Sequence, residues 1–302
     1  MAKNTTRVAL NVKFLAIRLI GLSVRVVPFK SFWLNSIGTV IGLLFMFQRI
    51  RQWGMIIRFA RHTGSPLPDL IYLMKYFIQQ GKDGVWGYVF CEAPSVLEKY
   101  ITTRNTEALK RALSGGKGTI VIAAHYGPAL YAYMLHRIHS NVKVLYAREY
   151  IMHLSSTITL VPKFFQSKKL MFLNNSGIVL TALKEEKQFA CHVKKGGLIA
   201  TDLDFPGPKG NDSRVSLFGI SMLPHVFLFR LALKHDIPVF FCLFNNVKRG
   251  GYRLDFIPIG KYSTPEEGFQ RYLSNLQGKI EEHPFMWTAI PHFLKLSSCP
   301  RD

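Results

Sequence analysis

The sequence predicts an α/β fold with a mixed, mostly parallel sheet flanked by helices, preceded by a basic, apolar, membrane-associated helical region. After Gly116, short β-like runs alternate with helical stretches, as in a sheet covered by helices. The first 68 residues contain no Asp or Glu, but ten Lys and Arg residues lie between their apolar runs. Pro66 and Pro68 mark a break between this N-terminal region and the rest of the chain. We therefore expect anchoring or interfacial helices at 1–68 and an α/β domain at 69–302.

The N-terminal region has two segments that favour a membrane. Residues 31–48 carry no charge over eighteen positions, which is at the lower edge of the length for a spanning helix. Residues 49–61 are amphipathic, with Ile50, Trp53 and Ile57 on one helical face and arginines on another. The alternative is that these segments form a buried helical layer of a globular domain.

The body of the chain supplies the elements of the predicted sheet. We predict strands at 119–124, 142–146, 169–173, 198–201, 238–244 and 252–258. We predict helices at 69–111, 129–139, 177–186, 224–235 and 262–282. The segment Lys248-Arg249-Gly250-Gly251 between the last two strands is typical of a hairpin turn, which predicts one antiparallel edge of the sheet.

The charge balance predicts an acidic partner. Of 302 residues, 39 are Lys or Arg and 18 are Asp or Glu, giving a formal charge of +21. Basic residues interleaved with apolar runs suit an anionic membrane surface better than nucleic acid, and we expect no nucleic-acid partner. The four cysteines are far apart and lack metal or redox spacing, which fits a reducing compartment. No cofactor-binding motif is present, so we expect neither a cofactor nor a metal.

His125 is the first candidate for chemistry. The apolar run at 119–124 ends in His125, followed by Tyr126 and Gly127 and then a helical stretch. Reactive groups of α/β folds lie where a strand ends. A neutral imidazole there could accept a proton from an attacking hydroxyl, and the amides of Tyr126 and Gly127 could hold an oxyanion.

Two aspartates end another predicted strand. Asp202 and Asp204 are spaced so that both can point to the same side of an extended chain. They could orient His125, bind an acceptor or cap the following loop, and a metal site on them has little support. Arg148, after the strand at 142–146, suits phosphate recognition, although a surface arginine is the simpler interpretation.

Several short segments occur in an order typical of one enzyme family. They are His125-Tyr126-Gly127, Tyr146-Ala147-Arg148, Asp202-Leu203-Asp204-Phe205 before Gly207-Pro208, Phe218-Gly219, the strand pair at 237–244 and 251–258, and Pro284-Phe285-Met286-Trp287. In these segments the chain resembles the lipid A biosynthesis (late) acyltransferases of the lysophospholipid acyltransferase superfamily. Each match is short, but together they span most of the chain.

The resemblance implies a membrane-bound enzyme on the cytoplasmic face of the inner membrane. Such an enzyme moves a fatty acyl group from an acyl-carrier protein or acyl-CoA thioester to an anionic, lipid-linked acceptor such as a glycolipid or lysolipid. It implies His125 as general base, with Asp204 and Asp202 as further catalytic candidates. Arg148, Gly127 and Arg214 are the candidates for substrate binding.

The sequence departs from the family at one position that matters for this chemistry. The family motif is His-x4-Asp/Glu, in which the acid orients the histidine, and here the acidic position is Leu130. Asp204 and Asp202 are the candidates to replace it. The alternatives are a catalytically altered or inactive acyltransferase fold that binds lipid or carrier protein, or an enzyme that transfers a different group.

Overall fold

The computed structural model describes residues 19–20, 22–128, 130–146, 179–182, 186–204, 213–247 and 250–297. Within them the predicted α/β class with a mostly parallel sheet is confirmed. The helices are α1 (Lys30–Gln48), α2 (Ile50–His62), α3 (Asp69–Glu92), α4 (Pro94–Leu97), α5 (Thr106–Ser114), α6 (Tyr131–Ile138), α7 (Glu186–Lys194), α8 (Phe227–His235), α9 (Pro265–Glu282) and α10 (Ile290–Ser297). The strands are β1 (Ile101–Arg104), β2 (Thr119–Ala123), β3 (Val142–Tyr146), β4 (Val179–Ala182), β5 (Leu198–Asp202), β6 (Val215–Leu217), β7 (Ile220–Met222), β8 (Val239–Asn246) and β9 (Tyr252–Pro258).

One seven-stranded sheet organises the body, in the order β1-β9-β8-β2-β5-β3-β4, and β6 and β7 form a separate hairpin. Strands β8, β2, β5, β3 and β4 run parallel, and β9 and β1 run the opposite way. β2 lies in the middle and is buried along its whole length, which suits its continuous apolar sequence. The residues that follow β2 therefore leave the sheet at the centre of its carboxyl edge.

The sheet differs from the sequence prediction at both ends. The segment predicted as a helix at 177–186 contains strand β4 instead, which pairs with β3 from Lys143–Val179 to Tyr146–Ala182. The prediction was wrong because a short apolar run fits both periodicities, and the neighbouring strand decides between them. The predicted strand at 169–173 lies outside the described residues.

The hairpin between β8 and β9 is antiparallel as predicted, but β9 is not an edge strand. β1 pairs with it on the outer side, with Ile101 opposite Tyr252. The sequence predicts a helix at 69–111, which is wrong for the residues of β1. Four residues between two helices give little periodic signal.

Helix α1 packs along α3 at unusually short range. A Cβ atom added at Gly81 would lie 2.2 Å from the carbonyl oxygen of Gly38 and 2.6 Å from the Cα atom of Gly42. Glycines at these three positions let the two backbones touch, as in close crossings of membrane helices. Asn35 adds polar contacts, because its amide donates to the Gly250 carbonyl at 3.0 Å and accepts from the indole of Trp86 at 3.0 Å.

The other face of α1 is apolar and exposed. Large apolar side chains lie exposed on α1, beside it and on the first turns of α3: Phe29, Phe32, Trp33, Val40, Leu44, Phe47, Ile50, Leu70, Ile71 and Met74. Among the described residues, α1 is the helix that is long and apolar enough to cross a membrane, and 22% of its apolar window is buried. The N-terminal helices thus bury one face in the same hydrophobic core as the sheet and expose an apolar face on the other side.

Candidate active site

His125 and Asp204 leave the sheet side by side. Each lies two residues beyond the end of its strand, β2 for His125 and β5 for Asp204. The parallel ladder pairs Ala123 with Asp202, the last residues of these strands, so the chain carries both side chains to the same point of the carboxyl edge. Adjacent ends of parallel strands are the usual place for functional groups in open α/β sheets.

The two side chains are in direct hydrogen-bond contact. Nδ1 of His125 lies 2.7 Å from Oδ1 of Asp204, and the backbone N–H of His125 donates to Oδ2 of the same carboxylate at 2.9 Å. The Asp204 side chain is completely buried, whereas the His125 side chain is 32% exposed. With an ionised carboxylate as acceptor, Nδ1 of the neutral ring carries the proton and Nε2 carries the lone pair.

Trp287 and Thr288 hold this pair from a third side. The indole N–H of Trp287 donates to Oδ2 of Asp204 at 2.7 Å. The backbone N–H and hydroxyl of Thr288 donate to the carbonyl of His125 at 2.8 and 3.0 Å. From the sequence, Trp287 is known only as part of a C-terminal match. Its position along the chain does not predict a contact with Asp204.

The surroundings of Asp204 favour its charged form. Complete burial by itself would raise the pKa of this carboxyl. The charge and hydrogen bonds of His125, together with the indole of Trp287, outweigh burial and hold the pKa of Asp204 below its ordinary value. A buried, ionised carboxylate in this position fixes the histidine tautomer and stabilises an imidazolium when one forms.

The N-terminal helices form part of the wall behind the pair. Phe59 of α2 is fully buried, and its ring centroid lies 5.5 Å from that of Trp287 and 5.2 Å from that of Phe218. The hydroxyl of Tyr76 in α3 donates to the carbonyl of Thr288 at 3.0 Å. The residues that hold His125 and Asp204 are therefore themselves packed against the apolar N-terminal region.

Asp202 has a different partner from Asp204. Its Oδ2 accepts a hydrogen bond from the hydroxyl of Tyr131 at 3.0 Å. Tyr131 is the first residue of α6, so this contact links the end of β5 to the helix that follows the His125 turn. Of the two predicted aspartates, Asp204 makes the contact with the imidazole.

Gly127 forms the turn that follows His125. Its φ of 73° lies in the left-handed region, and an added Cβ atom would lie 2.8 Å from Cβ of Phe244, so other residues would be strained there. Its N–H donates to the carbonyl of Met286 at 2.9 Å, and that of Tyr126 donates to the carbonyl of Ala124 at 2.7 Å. The two amides on which an oxyanion site was predicted therefore have backbone acceptors in this structure.

The remaining positions singled out from the sequence are Leu130, Arg214 and Arg148. Leu130, which stands at the acidic position of the family motif, is buried immediately before α6. Arg214 is exposed immediately before β6. Arg148 lies outside the described residues. No group of three or more His, Cys, Asp or Glu side chains that could hold a metal occurs in the part of the chain that the structure describes.

Comparison with known proteins adds no assignment, since neither a protein-family model nor a curated protein matches the chain. The fold and the hydrogen-bonded His125–Asp204 pair define an α/β protein with a candidate acid–base site at the centre of its sheet. The resemblance to the late acyltransferases remains a prediction from sequence.

Proposed function

We propose that this protein is an acyltransferase that moves a fatty acyl group from a thioester donor to a lipid-linked hydroxyl, with His125 as the general base. The observation that carries the proposal is the 2.7 Å contact between Nδ1 of His125 and the buried carboxylate of Asp204. In this proposal Asp204 takes the role of the acid that the family motif has at the position of Leu130 in this chain. Asp204 reaches the histidine from the neighbouring strand instead of from the following helix.

The proposed reaction uses the two residues in distinct ways. Nε2 of His125 takes the proton of the acceptor hydroxyl as its oxygen bonds to the thioester carbonyl carbon. The tetrahedral intermediate then collapses, the carbon–sulfur bond breaks, and the thiolate takes the proton from the imidazolium. Asp204 keeps its charge throughout and stabilises the imidazolium without receiving the proton.

The charge of the chain supports the choice of substrates. A formal charge of +21 favours an acidic donor, such as an acyl-carrier protein or acyl-CoA, and an anionic lipid acceptor. The exposed apolar face of α1 and α3 supports a position on a membrane surface, with α1 lying in the plane of the inner membrane on its cytoplasmic side. Its glycine contacts with α3 favour this in-plane arrangement, because a spanning α1 would have to separate from α3.

The test is a transfer assay with the full chain in detergent or anionic vesicles, using acyl-carrier thioesters and bacterial lipid extract. We expect acyl transfer to lipid, and we expect Asp204→Asn to lower kcat by about four orders of magnitude. His125→Ala should have a comparable effect. Asp202→Asn changes the acceptor of the Tyr131 hydroxyl and leaves the contact between His125 and Asp204 in place, so we expect transfer within about tenfold of the unmodified protein.

Four outcomes would contradict the proposal. Unchanged transfer by His125→Ala would exclude it as the base, and equal losses from Asp202→Asn and Asp204→Asn would remove the special role of Asp204. Absence of transfer to any lipid, together with vesicle binding by the intact protein, would instead support the non-catalytic lipid-binding alternative. If transfer is absent and Leu130→Glu restores it, the site has lost its acid and Asp204 does not replace it.

A further inference from the structure

The β6–β7 hairpin turns at an aromatic residue whose backbone is strained. Leu217 pairs with Ile220, so the turn consists of Phe218 and Gly219 alone, with φ values of 53° and 73°. A two-residue turn with both φ values positive is of type I′, which favours Asn followed by Gly. A bulky residue in the left-handed region costs free energy, and such strain is concentrated where it serves function. We therefore expect the ring of Phe218 to have a task beyond closing the hairpin.

Contacts from two separate helices hold the strained residue in place. The N–H of Phe218 donates to Oε1 of Gln277 in α9 at 3.0 Å. Its carbonyl accepts a hydrogen bond from Nε2 of His62, the last residue of α2, at 2.6 Å. Gln270 of α9 also bonds to both backbone groups of Ser216 in β6, accepting from the N–H at 3.0 Å and donating to the carbonyl at 3.1 Å. The turn is thus fixed by its surroundings, as a strained backbone requires.

The ring of Phe218 begins a series of contacts that ends at Asp204. Its centroid lies 5.2 Å from that of Phe59, and the two rings meet edge to face at 87°, a favourable arrangement for aromatic pairs. The same Phe59 ring lies 5.5 Å from that of Trp287, centroid to centroid. The indole N–H donates to Oδ2 of Asp204 at 2.7 Å. Because Phe59 is fully buried and contacts both rings, a smaller side chain at position 218 would leave space into which Phe59 can shift.

We propose that Phe218 is a positioning residue for the acyl transfer, an inference that rests on the proposed function. Its ring holds Phe59 against Trp287, which keeps the indole N–H on Asp204. This carboxylate can orient and stabilise the His125 ring only while its own oxygens stay in place, and small displacements within a site are costly in rate. Phe218 acts through the carboxylate and takes no part in bond making. An Asn at position 218 would suit the turn but would not fill the space beside Phe59.

The first experiment separates the ring of Phe218 from its backbone in the transfer assay. Phe218→Asn removes the ring, and we expect kcat to fall about tenfold to hundredfold with KM within about threefold. The unfolding temperature should stay within about 4 °C of the parent, because the relieved strain offsets the lost ring contact. Phe218→Tyr keeps the ring and should hold kcat within about threefold. Tyr262→Asn is the matched control and should leave kcat unchanged, because this half-buried ring packs on Phe229 at the opposite edge of the sheet.

A double-mutant cycle tests whether Phe218 acts through the indole. In a Trp287→Phe background the N–H that Phe218 positions is absent, so Phe218→Asn should lower kcat by less than about threefold. Phe59→Leu removes the middle ring of the same series and keeps a good helix former, and it should lower kcat to the same extent as Phe218→Asn. Phe59→Leu also provides the test if Phe218→Asn does not fold.

The outcomes separate this inference from the proposed function. If Asp204→Asn abolishes transfer but folded Phe218→Asn or Phe59→Leu keeps kcat within about threefold, the acyltransferase proposal stands and the role of Phe218 is refuted. A rise in KM with unchanged kcat would make Phe218 a binding residue and would also overturn the inference. Equal kcat losses in the Asn and Tyr variants would exclude the ring as the cause. An undiminished loss in the Trp287→Phe background would exclude action through the indole. If the unmodified protein transfers no acyl group, the proposed function fails and this inference fails with it.

Discussion

Asp204 and Asp83 are both deeply buried aspartates, and their different surroundings give them opposite properties. Asp204 faces His125, the indole of Trp287 and a backbone N–H, which together hold its pKa below the ordinary value despite complete burial. Asp83 on α3 accepts hydrogen bonds on Oδ1 from Tyr252 at 2.6 Å and Gln79 at 2.8 Å. Its Oδ2 is buried without a hydrogen-bond partner, and burial raises the pKa of Asp83 to about 7.

The comparison shows that a directly hydrogen-bonded group able to carry positive charge, and not burial alone, determines which carboxylate can support a base. At Asp83 the neutral donors Tyr252 and Gln79, together with the charge of Lys82, reduce the effect of burial but do not reverse it. Asp83 instead joins α3 to the sheet, since Gln79 also accepts a hydrogen bond from Asn246 of β8 at 3.0 Å. Asp204 is thus suited to an ionic role at the carboxyl edge, and Asp83 to a structural one beneath the N-terminal helices.

The largest expected change in stability comes from removing the histidine. In the intact protein the lowered pKa of Asp204 contributes stability above its ordinary pKa, and this contribution is lost as pH falls through the lowered value. His125→Ala leaves a buried carboxylate without its imidazole partner and raises the pKa of Asp204. We expect a loss of about 3 kcal/mol in the free energy of unfolding at pH 8 and a smaller loss at pH 5.

Thermal or denaturant unfolding of the full chain in detergent at the two pH values checks this expectation, with His235→Ala as a control at a partly exposed histidine. A loss that is the same at pH 5 and pH 8 would show that Asp204 does not depend on His125 for its charge.

A smaller effect of pH is expected at Asp83. Because its pKa is raised to about 7, the protonated form contributes stability that is lost as pH rises from its ordinary value of 3.8 towards 7. Asp83→Asn cannot ionise, so its stability relative to the parent should increase by about 2 kcal/mol between pH 5 and pH 7.5. Unfolding curves at several pH values measure this difference. Asp236→Asn serves as the control. Lys117 lowers the pKa of the exposed Asp236, so this carboxyl stays ionised between pH 5 and pH 7.5 and the stability of the variant relative to the parent should not change over that range.

The smallest expected effect concerns the indole that bonds to Asp204. Trp287→Phe removes a donor to a charged acceptor, and we expect a loss of about 1.5 kcal/mol in the free energy of unfolding at pH 7, which becomes smaller as pH falls below 3.8, the ordinary pKa of this carboxyl. Trp86→Phe is the matched control, since Trp86 is equally buried and its indole donates to the neutral amide of Asn35 at 3.0 Å. The loss of stability caused by Trp86→Phe should not vary with pH. Identical pH dependence in the two variants would mean that Trp287 only fills space beside Asp204.

Local patterns were sufficient for the centre of the fold. The apolar runs of β2, β5 and β8 predicted buried strands, and β9 and the turn before it predicted the antiparallel pair. Edge strands β1 and β4 were missed, because each has four residues and depends on one neighbouring strand for its hydrogen bonds. The sequence of α1 predicted an apolar helix, but the contacts of its glycines with α3 became clear only in the packed structure.

The sequence by itself determined that a histidine ends a central strand, that two aspartates end another, and that the motif acid is replaced by Leu130. The tertiary structure decided which aspartate meets the histidine, because strand order brings β5 beside β2 and places Asp204 against Nδ1. It also decided that Trp287 supports the carboxylate and that the amides after His125 are already engaged. These contacts join residues far apart in the chain, and local sequence periodicity contains no information about such distances.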